Sequence, residues 1–182
     1  MLDNGTLPTL GRKRRPHFHA VAASAAMTIL AAVLWLSTTV HPGPAMHDAA
    51  LFAHLAFLTL GFGAVLATEY SFVLWALGRS TFADAVASAT RLHVPIWLGL
   101  TGLVASGALL SPDLTSGTTI LKLVLVGGLT LNGVQAGALT GRLSGAGEPP
   151  PARLLLRGAA TSAISQVCWW GAVVIGFLHA NR

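Results

Sequence analysis

Seven histidines, three methionines, one cysteine and six carboxylates are spread over 182 residues, and a few fall at spacings suited to holding a cation. His47 and His54 are seven apart. On one helix they would share a face, about 10 Å apart along the axis. Met46 stands beside His47, and His41 precedes both. Imidazole with thioether suits copper, the thioether in particular the Cu(I) state. His41, Met46, His47 and His54 are therefore candidate metal ligands, with copper ion as the expected cofactor or cargo. Each also has a plainer role: His41 and His47 as solvated loop residues, His54 as a helix histidine bonded to a neighbouring carbonyl.

Glu69 is the one carboxylate well inside an apolar stretch, and His93 opens the next stretch from the same side. Ionisable groups at membrane depth are costly, so each is a candidate for function. The two could relay protons, hold a cation or form a structural contact. Asn132, Gln135 and Gln166 read as hydrogen-bonding groups between helices, and Cys168 as packing or a soft ligand. Haem b offers an alternative chemistry for the same histidines. His54 with His179 would share one level, and His19 with His93 the other. A third possibility is a cofactor-free structural or assembly subunit. No phosphate-cradling glycine loop, HExxH or GxSxG is present, so nothing points to soluble-type enzyme chemistry.

The elements that must position these groups are apolar runs at residues 20–40, 49–77, 92–110, 118–140 and 154–179. A helix needs about 20 apolar residues to cross a bilayer. Only 9% of the chain is charged, against about 25% in a soluble domain. The sequence predicts an all-α, polytopic transmembrane bundle of about five spans. Residues 17–182 form a single transmembrane domain, and residues 1–16 a basic tail.

Basic residues cluster at Arg12–Arg15, at Arg79 and Arg91, and at Arg142, Arg153 and Arg157. By the positive-inside rule these segments are cytoplasmic, which puts the N-terminus in and the C-terminus out. The expected location is a bacterial cytoplasmic membrane, with the first span uncleaved. Lipid is the certain neighbour on this reading. A periplasmic metal-carrying protein or other membrane subunits are the expected protein partners. Nucleic acid is excluded, because the charge is split among short membrane-flanking segments.

Breakers divide the runs. His41-Pro42-Gly43-Pro44 ends the first, Asp48 is placed to cap the second helix, and a short surface helix is expected over 81–89. Ser111-Pro112-Asp113 turns the chain, and 141–153 is a loose connection. Trp35, Trp75 and Trp97 fall near span ends, where indoles favour the interface. Trp169 and Trp170 lie deeper and are expected to pack. Small residues recur at spacings of four, as Gly133, Gly137 and Gly141 and as Gly102 and Ser106. They predict close packing within the bundle.

Three stretches carry a family likeness. They are His54-Leu-Ala-Phe-Leu-Thr-Leu-Gly61-Phe-Gly63, Leu98-Gly-Leu-Thr-Gly-Leu-Val-Ala-Ser-Gly107 and Thr118-Thr-Ile-Leu-Lys122-Leu-Val-Leu-Val. Over residues 49–179 the chain resembles the copper resistance D family of bacterial membrane proteins. Gly61 stands where that family carries a tryptophan. The resemblance implies a role in copper uptake or tolerance, with His54 the position carried over.

Overall fold

A computed structural model describes residues 17–39, 42–146 and 150–180, with side chains described for 20–39, 42–146 and 150–178. The chain forms five α-helices: α1 (His17–Ser37), α2 (Pro44–Ala76), α3 (Phe82–Ala108), α4 (Gly117–Leu143) and α5 (Ala152–Ala180). No strand occurs among the described residues. Four of the helices, α1, α2, α4 and α5, are long and apolar enough to cross a membrane. α3 has 27 residues, about 40 Å of helix. It is less apolar because Arg91, His93 and Pro95 fall in its first half.

Two helix boundaries differ from expectation. α2 begins earlier than its apolar run, with Gly43 as N-cap and Pro44 in the first turn. Proline is favoured there because its missing N–H has no partner to lose. Asp48 therefore lies within the helix, exposed. The short surface helix expected over 81–89 is instead the start of α3. A reciprocal cap launches it: the Thr81 hydroxyl accepts from the Asp84 backbone N–H at 3.1 Å, and the Asp84 carboxylate accepts from the Thr81 N–H at 3.3 Å. Each satisfies a donor that the first turn would otherwise leave orphaned. Phe82, Ala85 and Val86 then bury one face and carry the helix past Arg91.

The turn between α2 and α3 is compact. Gly78 has φ +68°, a left-handed conformation that favours glycine. It lets its own N–H reach the Trp75 carbonyl and the Arg79 N–H reach the Leu74 carbonyl, both at 2.8 Å, so the last carbonyls of α2 are satisfied.

The Thr81 hydroxyl and backbone hydrogen bonds hold the Asp84 carboxyl below its usual range. A depressed carboxyl stabilises the fold fully above its unfolded value, and this is lost as pH falls through the lower folded value. Thr81→Ala should lower the melting temperature at neutral pH. The gap to the parent should narrow below about pH 4 without closing, because the bond from the Asp84 N–H to the Thr81 hydroxyl does not titrate.

Antiparallel neighbours form two tight pairs, α2 with α3 and α4 with α5, and α1 packs on α4 and α3. In the first pair the backbones touch, because Gly61 and Gly99 face each other and the Phe57 ring lies over Gly102. Ser71 donates to Ser88 at 2.9 Å further along the seam. One buried cluster (Val65, Leu100, Leu129, Cys168, Trp169) ties the two pairs together near mid-bundle. A second (Phe82, Val86, Leu139, Leu143) closes the end at which Arg79, Arg142 and Arg153 lie. We call this the basic end.

Candidate functional site

Between these two clusters lies a cavity of about 500 Å³, lined by α2, α3, α4 and α5. Glu69 and His93, the pair singled out by depth, both face it. Its aromatic wall includes Phe72, Trp75, Trp97 and Trp169. Trp169 is 2% exposed and stacks on Phe62 at 5.6 Å, while Trp170 meets Phe62 edge-on at 5.0 Å. These rings join α2 to α5 beside the mid-bundle cluster. Trp75 packs on Phe82 at 5.1 Å near the basic end. Trp75 and Trp97 thus turn towards neighbouring helices, where each finds a partner.

His93 is positioned twice over. The Trp97 indole N–H, one turn on, donates to His93 Nε2 at 3.0 Å. A neutral ring held this way carries its proton on Nδ1. Across the gap, the His93 ring lies over Gly137 and the Trp97 ring over Gly133. The four-spaced glycines of α4 therefore seat two rings from α3 rather than a helix backbone. The α3–α4 separation follows from those rings and leaves the cavity open. Spacing of four between His93 and Trp97 was the sequence signal for this unit.

Asn132 is buried and donates from Nδ2 to the Thr161 carbonyl at 2.9 Å, tying α4 to α5 at cavity level. Gln135, three residues on, is exposed. Asn132→Leu should lower stability by about 0.6–2 kcal/mol. The α4–α5 pair should loosen first in hydrogen exchange.

Glu69 is half-buried, and among the described residues its carboxylate makes no hydrogen bond or ion pair. No lysine or arginine lines the cavity. The site is thus a water-sized to ligand-sized space with one carboxylate, one imidazole and aromatic walls.

The opposite end of the bundle is built differently. His54 Nδ1 lies 3.0 Å from Ser106 Oγ. Ser106 Oγ also reaches the Gly102 carbonyl at 2.6 Å; in the tautomer where His54 donates from Nδ1, Nε2 keeps its lone pair. A partner on one ring nitrogen in this way orients a histidine whose other nitrogen is to bind a metal. Lys122 of α4, however, is near enough to act electrostatically on His54, and its ammonium opposes a cation there. Met46 and His47 are exposed on the first turn of α2, and His41 lies outside the described residues. Among the described residues no three His, Cys, Asp or Glu side chains converge on a metal-sized point.

The histidine pairs suited to haem are only partly in view. The side chains of His19 and His179 lie outside the described ones. Among the described residues, His93 is the one histidine facing the cavity, and no methionine or cysteine joins it there. Its Nε2 is already held by Trp97.

Fold and site together define an all-helical protein with the helices of an integral membrane protein. No model of a protein family, no curated protein and no solved structure matches the chain.

Proposed function

We propose that this is a membrane protein that binds and passes on a cation, with the cavity between the two helix pairs as its binding site. The observation that carries this is Glu69, a carboxylate facing an interior space with no cationic partner among the described residues. A carboxylate at membrane depth is retained at a cost, and a cation or a proton is what offsets it. His93 faces the same space as a second donor. The positive-inside rule places the basic end, and with it the cavity, towards the cytoplasm of a bacterial cell.

Copper is the cargo that the resemblance implies, with His54 the position carried over; the His/Met spacing adds Met46 and His47 as ligands on the periplasmic side. A periplasmic carrier would deliver it there, and Glu69 with His93 would form the inner station. Copper is therefore the first cargo to test. Cellular copper content is measured with and without the protein, in the parent and in Glu69→Gln, His93→Ala, His54→Ala and Met46→Ala. If the cargo is copper, its content changes with the protein and Glu69→Gln reduces that change at least tenfold. If His54→Ala and Met46→Ala leave copper content and tolerance unchanged, the periplasmic ligands are wrong. If Glu69→Gln does too, the cavity takes no part in copper handling.

A further inference from the structure

The shape and lining of the cavity narrow the cation further, on the premise that the cavity is a cation site. A bare metal ion fills little of about 500 Å³, and organic-ligand pockets run from about 300 to 1,000 Å³. Metal sites gather several donors at short range, and here Glu69 and His93 are the only His, Cys, Asp or Glu side chains among the lining residues. One of the two ring nitrogens of His93 is already occupied by Trp97.

The other lining groups are mostly self-satisfied. Thr68 donates to the Ala64 carbonyl at 2.9 Å and Thr140 to the Ala136 carbonyl at 3.0 Å. The Asn132 amide nitrogen is held by Thr161. Thr161, Ser162 and Ser165 add hydroxyls from α5, and the one charge offered to a ligand is Glu69, set among the rings of Phe72, Trp75, Trp97 and Trp169. Aromatic faces attract a cation through their quadrupole, most strongly when water is excluded. The rings also supply contact area to an apolar body, which a hydrated inorganic ion cannot use.

We infer that the cavity binds a monovalent amphipathic organic cation, an amine or quaternary onium with an apolar body, whose charge is met by Glu69. The half-buried rings of Trp75 and Trp97 contact that body.

The test uses the full chain in nanodiscs, with tetraphenylphosphonium as probe and triphenylphosphine oxide as its neutral counterpart. Tryptophan emission reports binding, since Trp75, Trp97 and Trp169 line the cavity, and empty nanodiscs supply the background. Saturable one-to-one binding of the phosphonium is expected, with the neutral compound at least tenfold weaker. Glu69→Gln should weaken the phosphonium at least tenfold, and Glu69→Asp should recover part of the loss. Melting curves establish that both variants are folded.

Equal affinity of the parent and Glu69→Gln for the phosphonium overturns the proposal, because the charge is then not read. Absence of phosphonium binding together with Glu69-dependent binding of Cu(II) overturns it too, while leaving the cation site intact. Absence of both overturns the cation site itself.

Discussion

Gly99→Ala breaks the α2–α3 pair and lowers the melting temperature of the purified protein far more than the same change at Gly63 or Gly141. A methyl group on Gly99 would stand inside the backbone of Gly61 and 2.9 Å from the Phe57 carbonyl oxygen. Neither neighbour is a side chain that could swing away. Overpacking a well-packed interior costs about 1–3 kcal/mol when side chains can adjust. A clash with backbone leaves only separation of the helices, so the expected loss lies at the top of that range or beyond it. Gly61→Ala is milder, since its methyl would meet the Gly99 backbone and the Trp169 ring at 3.1 Å. Gly63 and Gly141 have nothing within 4 Å of an added methyl, and alanine there should be neutral. Melting of the four variants in one detergent checks the ranking. A Gly99→Ala protein as stable as Gly141→Ala would show that the helices do not meet at these glycines.

Glu69→Gln has the opposite sign for stability and the larger consequence for function. The carboxylate has no partner among the described residues, and an acidic residue within an apolar helix is costly to insert, less so two turns from the helix end, where Glu69 lies, than at its centre. Glutamine keeps the shape and removes the charge. Melting temperature should hold or rise, while cation binding falls at least tenfold. A structural ion pair would behave otherwise, because removing one partner of a paired charge destabilises. A fall in melting temperature with binding unchanged would assign Glu69 to packing.

The helices were legible in the sequence because lipid leaves so few charges in them, and because Pro42, Gly43 and Pro44 interrupt the apolar run. A helix over 81–89 was legible too, but its continuity with the third apolar run was not, since an apolar run marks membrane depth and residues 82–91 alternate polar and apolar groups. The sign that a helix begins there is local: a threonine three residues before an aspartate. In the site, Glu69 and His93 could be matched because counting residues from a helix end gives depth. Their common cavity could not, since it depends on which way each helix faces its neighbours. The glycines show this plainly. Gly133 and Gly137 repeat at the same interval that elsewhere signals backbone contact, yet they receive Trp97 and His93. Only the packing distinguishes the two uses. For His54, the sequence pointed to a ligand and could not foresee that Lys122, 68 positions further along, would face it.

The modest apolarity of α3 has a consequence for how the chain is made. With Arg91, His93 and Pro95 in its first half, α3 is a poor candidate to leave the translocon for lipid unaided. α2 is strongly apolar over its 33 residues, and the bend between them occupies only residues 77–81. A short bend and backbone contact at Gly61 and Gly99 suit the two helices to entering the bilayer as one hairpin, in which α2 would shield the polar flank of its partner. A bulky residue at either position is then expected to lower the yield of inserted protein as well as its melting temperature.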